Sequence, residues 1–291
     1  MTRNNHHSKN FDPVISINSG QVFLWEKYGN SWYGIHGDHV IKFTMTADGR
    51  SEFSSFPEVA LCQYDIFRLD DDICKILDQI SQDPFVHNLV GLYPGLRLMR
   101  QEPHQCLFSF LCASNTNIPM IRRMLNLLTK KFGNRVQVDG KDFFTFPSAT
   151  SIYRASVSEL RSCSLGYRIK SVKAAADLIV NCKLSFDGLK KASYEQARQE
   201  LLQIYGIGNK IADCILLFSL EKLDAFPIDV WIARALAHHY AWLYSRKFSD
   251  KITNRQYQLL SDVARKHFGK YAGYAQQYIY YHMRQDAGKK W

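Results

Sequence analysis

Residues 206–218 read GIGNKIADCILLF, and residues 225–236 read AFPIDVWIARAL. The first stretch opens with a tight turn, Gly206-Ile207-Gly208, between EQARQELLQIY (195–205) and a very apolar helix. Glycines permit positive φ and close backbone approach. The N–H groups of such a turn, and of the helix start behind it, form a cradle for phosphate. Two nucleotide-binding fingerprints are ruled out. Gly-x-x-x-x-Gly-Lys-Ser/Thr fails because Ile211 follows Lys210, and Gly-x-Gly-x-x-Gly lacks its third glycine.

A helix–hairpin–helix gripping a nucleic-acid backbone fits better, with an ordinary glycine turn as the competing explanation. Lys210 sits at the positive end of a helix, where a cation is disfavoured. It is either a surface lysine that meets phosphate or an amine nucleophile. Helix start and apolar flank both destabilise an ammonium, which suits the second role. Asp229 follows Pro227 at another helix start and fits an N-cap. A capped carboxylate, expected to stay ionised and rigidly aimed, could also stabilise positive charge developing on a sugar.

The rest of the chain sets bounds. Of 291 residues, 1–92 carry 7 Lys/Arg against 12 Asp/Glu, and 93–291 carry 30 against 15. The net +15 of the second part is the footprint of a polyanion partner or of a merely basic surface. Seven cysteines fall at irregular spacings without Cys-x-x-Cys, so neither a structural zinc nor a disulfide framework is expected. None follows Cys214, which excludes a C-terminal four-thiolate cluster. The adjacent pairs His6-His7 and His238-His239 do not share a helix face, so no metal or cofactor is expected. The start, MTRNNHHSKNFDP, lacks the apolar segment of a signal peptide. No run of about eighteen apolar residues suggests a membrane span. A soluble intracellular protein is expected, cytoplasmic or nucleoid-associated in a prokaryote and nuclear in a eukaryote.

Residues 13–56 read as β-structure, with hairpin turns at Tyr28-Gly29-Asn30 and His36-Gly37-Asp38. From Leu69 the period becomes helical. Beyond 92 nearly everything reads as helix. Pro103 opens one helix, and Asn117 caps another that Gly133 ends. A third spans 167–181, and Ser193-x-x-Gln196 is a capping box. Asp229 precedes VWIARALAHHYAWLY, and two helices close the chain. The fold class is α+β: a small antiparallel sheet domain over 1–92, then a two-lobed, all-helical body over 93–291.

Six segments in order give the chain a family likeness: SGQVFLW (19–25), CLFSFLCASNTNI (106–118), LGYR (165–168), GIGNKIADCILLF, FPIDVWIAR (226–234) and YAGYAQQ (271–277). Together they resemble the 8-oxoguanine DNA glycosylases of the helix–hairpin–helix superfamily, over essentially the whole chain. The resemblance implies a monomer that binds double-stranded DNA containing 8-oxoguanine, bends it and flips the lesion into a pocket. It implies that Lys210 attacks C1′, forms a Schiff base and cuts the strand by β-elimination, with Asp229 stabilising charge. Gly206 and Gly208 would hold a phosphate. Gly20 would accept the N7–H that guanine lacks. Cys214 and Tyr280 would face the two sides of the base, and Gln276 its Watson–Crick edge. Asn115 and Tyr167 would fill the gap in the duplex, and Arg168 would meet the orphaned partner base.

Three positions depart from the family pattern. Met120 stands where an arginine to the orphaned cytosine is usual, with Arg122 or Arg123 as possible substitutes. Trp231 replaces a histidine near the phosphates, and Tyr280 a phenylalanine. The rival readings are an alkylated-base glycosylase of the same superfamily, which uses the aspartate without the lysine, and a non-catalytic DNA-binding module.

Overall fold

The computed structural model describes residues 11–46, 51–58, 63–244 and 252–288. The polar start with His6-His7, and Cys62, lie outside the described residues. The first element corrects the expectation of β-structure from residue 13: it is a short helix, α1 (Pro13–Ile17). PVISI is rich in β-branched residues, but Asp12 accepts from Ile15 N–H and Pro13 occupies a first-turn site that needs no donor.

The sheet follows as an antiparallel meander of β1 (Trp25–Tyr28), β2 (Ser31–His36), β3 (His39–Met45) and β4 (Ser51–Phe56). Two-residue turns set its first two registers, pairing Tyr28 with Ser31 and His36 with His39. One face puts Trp25, Trp32, Ile41 and Phe43 against Phe67 and Met99, while Tyr33, Ile35 and Val40 join the main core. Covering both faces explains why the strands alternate only partly in sequence.

Helices α2 (Gln63–Phe67), α3 (Ile73–Ile80) and α4 (Pro84–Leu92) lead into α5 (Pro103–Cys112) and α6 (Ile118–Phe132). The body is then not helical throughout, a correction to the sequence reading. Strands β5 (Arg135–Val138) and β6 (Lys141–Phe144) form a hairpin around Asp139-Gly140, both at positive φ, the signature of a type I′ turn. The hairpin docks on the sheet, with Phe143 stacked on Tyr33 and Asp139 paired to Lys42.

After it come α7 (Ala149–Arg154), α8 (Val157–Ser162), α9 (Ile169–Val180), α10 (Phe186–Lys191) and α11 (Tyr194–Leu202). The chain closes with α12 (Asn209–Ser219), α13 (Val230–His239), α14 (Asn254–Phe268) and α15 (Ala272–Asp286). Helix α13 stops at His239 rather than running through Tyr244; Tyr240 is buried and donates its hydroxyl to Asp83. Helix α15 packs on α3, α4, α13 and α14, whereas α5 packs on α6, α9 and α12. Among the described residues no helix is long and apolar enough to cross a membrane.

Helix α12 is buried on every side from Ile211 to Ser219. Each Ile or Leu there contributes roughly 1.5–3 kcal/mol of burial. Its one carboxylate, Asp213, is sustained by Tyr194, Tyr257 and Arg198, all within 3.0 Å.

Candidate active site

The glycine turn fixes the start of α12. Gly206 has φ +89°, and a Cβ there would collide with the Ser171 side chain of α9. Gly208 has open space around it and forms the N-cap of α12 without a side-chain cap bond. Among the described residues, no side chain caps the first N–H groups of α12, an arrangement that suits an anion.

Lys210 is half-buried in the first turn of α12, its Nζ 5.2 Å from the Phe110 ring centroid. Phe110 is itself stacked on Phe218 at 5.6 Å. One turn on, Cys214 is buried, and burial pushes its thiol up to about 12, with nearby Lys210 opposing the shift. The sulfur is thus a neutral, soft wall and not a thiolate nucleophile.

Asp229 caps α13, its Oδ1 accepting from Trp231 N–H at 3.0 Å and Ile232 N–H at 2.9 Å. Withdrawal from water raises its pKa above the ordinary carboxylate value; the Ile232 N–H, the charge of Lys210, the Trp231 N–H and Arg284 all pull it back down. The firmly ionised cap expected from sequence is therefore opposed by burial, and these neighbours are what favour its charge.

These groups line one cavity of about 750 Å³ at the seam between α12, α15 and the N-terminal region. That volume is within the range of small-molecule sites. Of the residues singled out in the sequence, Gly20, Asn115, Gly208, Lys210, Cys214, Asp229, Trp231, Gln276 and Tyr280 all lie on its wall. Gln276 is buried and donates Nε2 to Pro227 O at 3.1 Å, while its Oε1 has no partner among the described residues. A buried acceptor left open at a cavity wall is suited to a ligand donor. Burial raises the Tyr280 phenol, with Asp229 adding to the shift, so the ring is a neutral one.

Gly206, Tyr167 and Arg168 are not on that wall. Tyr167 is 62% exposed and donates to Ser114 O at 2.9 Å. Arg168, which the resemblance assigns to the orphaned partner base, is buried beneath Tyr167 and donates to the Ser114 and Asn115 carbonyls. Both therefore brace the exposed turn at Asn115, which sits at φ +47°, a conformation asparagine tolerates better than most residues. Phe110, Tyr257, Gln277 and Arg284 also line the cavity but carry no local sequence signal of it.

Residues 5–107 match the N-terminal domain of 8-oxoguanine DNA glycosylase, and residues 108–260 match the HhH-GPD superfamily of base excision DNA repair proteins. The chain is 29% identical over 282 residues to the N-glycosylase/DNA lyase OGG1 of Arabidopsis thaliana, covering 91% of this chain and 75% of that one. It is 32% identical over 240 residues to the N-glycosylase/DNA lyase of Saccharomyces cerevisiae, covering 74% of this chain and 64% of that protein. Among solved structures, the Clostridium acetobutylicum 8-oxoguanine glycosylase/lyase, bound to double-stranded DNA with cytosine opposite 8-oxoG, superposes with a TM-score of 0.86 at 28% identity. That match covers 96% of this chain and 93% of the other.

Proposed function

Because this chain belongs to the HhH-GPD superfamily of base excision DNA repair proteins, we propose that it is a bifunctional DNA glycosylase/AP lyase that removes 8-oxoguanine from duplex DNA. One observation carries this reading. Lys210 and Asp229 meet on a cavity whose other walls offer the open Gln276 Oε1 and the Gly20 backbone. A site for alkylated bases that used the aspartate alone would have no need of an amine beside it, and a binding module would need neither.

The base flips out of the duplex into the cavity, between Cys214 and Tyr280. Gln276 Oε1 accepts from its Watson–Crick edge, and the Gly20 carbonyl accepts the N7–H that distinguishes the lesion. The Lys210 amine attacks C1′, and the bond from C1′ to N9 breaks with its electrons leaving on the base. Asp229 stabilises the positive charge that develops on the sugar. The aminal opens to a Schiff base; loss of a C2′ proton then expels the 3′ phosphate. The turn at Gly206 and Gly208 holds a backbone phosphate, and Trp231, on the cavity wall, meets the DNA backbone as well. Asn115 and Tyr167 fill the vacated space in the stack. The sheet domain over 1–92 and the body over 93–291 act together as a monomer, inside the cell where DNA is.

The test is cleavage of a duplex carrying one 8-oxoguanine by the wild type and by Lys210→Gln. Wild-type cleavage at the lesion, lost in the variant, supports the assignment. An intact 8-oxoguanine strand with the wild type, or cleavage retained by the variant, overturns it.

A further inference from the structure

The Gly20 wall of the cavity is held by three glutamines. Before Gly20, Ser19 O accepts from Gln277 Nε2 at 2.8 Å, across 258 residues of chain. The Ser19 hydroxyl donates to Ser16 O and accepts from Gln21 Nε2, both at 2.8 Å. After Gly20, Gln21 O accepts from Gln101 Nε2 at 2.6 Å. Gly20 itself stands at φ +79°, and among the described residues its own carbonyl accepts no hydrogen bond. Both flanking carbonyls are thus pinned, while the one between them stays available at the cavity.

Gln277 differs from the other two clamps in where it comes from. It is 2% exposed on α15, beside Gln276, which reaches a different segment at the Pro227 carbonyl. Consecutive helical residues project about 100° apart. One helix therefore fixes two walls at once, the Ser19-Gly20 turn and the segment leading to Asp229.

We propose that Gln277 is a positioning residue for lesion recognition. By holding Ser19 O, it orients the Gly20 carbonyl toward the N7–H of 8-oxoguanine. This rests on the reading of the cavity as an 8-oxoguanine site. Guanine offers a lone pair at N7 instead of a donor, so an acceptor that cannot turn away rejects it. An acceptor that can rotate loses its hold on the lesion.

Two variants test this: Gln277→Met, which keeps length without a donor, and Gln277→Glu, which faces the Ser19 carbonyl with acceptors. Each is compared with the wild type in single-turnover assays on an 8-oxoguanine duplex and on a duplex with a preformed abasic site. Base removal should fall about tenfold in both variants, the loss expected for one well-placed hydrogen bond. Cleavage of the abasic site uses Lys210 but no base contact, and should be unchanged. Unchanged base removal in both variants, or equal loss of the two activities, overturns the proposal. If the wild type cleaves the abasic duplex but leaves 8-oxoguanine intact, the reading of the site itself fails, and the inference fails with it.

Discussion

Tyr257 donates its hydroxyl to Asp213 at 2.6 Å and accepts from Ile228 N–H, next to Asp229, at 3.1 Å. Asp213 lies three residues beyond Lys210 on α12. One buried phenol therefore ties the helix that carries the lysine to the segment that carries the aspartate. Arg198 of α11 braces the lysine helix itself, donating to both Asp213 and Asn209, the neighbour of Lys210.

Tyr257→Phe should leave the Ile228 N–H unpaired and cost roughly 1–3 kcal/mol of stability. It should also slow base removal by about tenfold, because the two reacting groups lose their common reference. Urea unfolding and single-turnover excision check this. An unchanged rate beside a lowered stability would make the tyrosine a structural group only.

Asp229→Asn separates capping from chemistry. An asparagine oxygen can still accept from Trp231 and Ile232, so stability should change by less than about 1 kcal/mol. Excision should fall on the order of 100-fold, because the charge facing the sugar is gone. The pH profile adds a second readout. The carboxylate form is the active one, so activity declines as pH falls and the group takes up a proton. Since burial raises this pKa, the decline should begin above the usual carboxylate range, and in the variant this limb should vanish. A wild-type rate that is flat on the acid side contradicts the role given to Asp229.

Stability should also depend on two histidines. Burial holds His36 and His104 at about 4, against about 6.5 in the unfolded chain. The unfolded state therefore binds protons that the native state refuses. Their contribution is fully present above about 6.5 and is lost as pH falls through the native value. Glu102 lies 3.9 Å from His104, and burial raises its pKa, which acts in the opposite direction. His104→Phe isolates the histidine, since the ring already packs edge-on against Phe108 and Phe146. The difference in Tm between neutral and mildly acidic buffer should shrink in that variant. An equal difference in the two proteins contradicts the assignment.

Opposite-base discrimination should be weak. Met120 is 38% exposed in the first turn of α6 and offers no donor to a base. Arg168 is already engaged with the Ser114 and Asn115 carbonyls. Excision rates opposite cytosine, adenine, guanine and thymine should lie within about tenfold of one another, since one bidentate pair typically accounts for 1–3 kcal/mol of discrimination. Met120→Arg should restore a cytosine preference. A strong preference already present in the wild type contradicts this account.

The features legible in the sequence are those written within a few residues. The Ser193 capping box, the Asn117 cap with Pro119 behind it, and the Asp229 cap each depend on contacts two or three positions away. The glycine turn is legible for the same reason. Helix α1 was obscured by its β-branched residues, although Asp12-Pro13 marks its start. The β5–β6 hairpin was obscured by strands of four residues with charged flanks, although Asp139-Gly140 announces its turn. Gln277, Tyr257 and Phe110 were illegible for a different reason. Their roles arise from partners such as Ser19, Ile228 and Lys210, brought close only by the fold. Arg168 shows the same limit: its motif is local, but its burial under Tyr167 is tertiary.

In the proposed reaction Lys210 Nζ becomes covalently joined to the sugar. Borohydride added during reaction with a duplex carrying one 8-oxoguanine reduces a Schiff base to a stable protein–DNA adduct. The wild type should give that adduct and Lys210→Gln, folded to the same Tm, should give none. A wild type that cleaves the lesion strand without trapping, or an undiminished adduct in Lys210→Gln, would contradict the account.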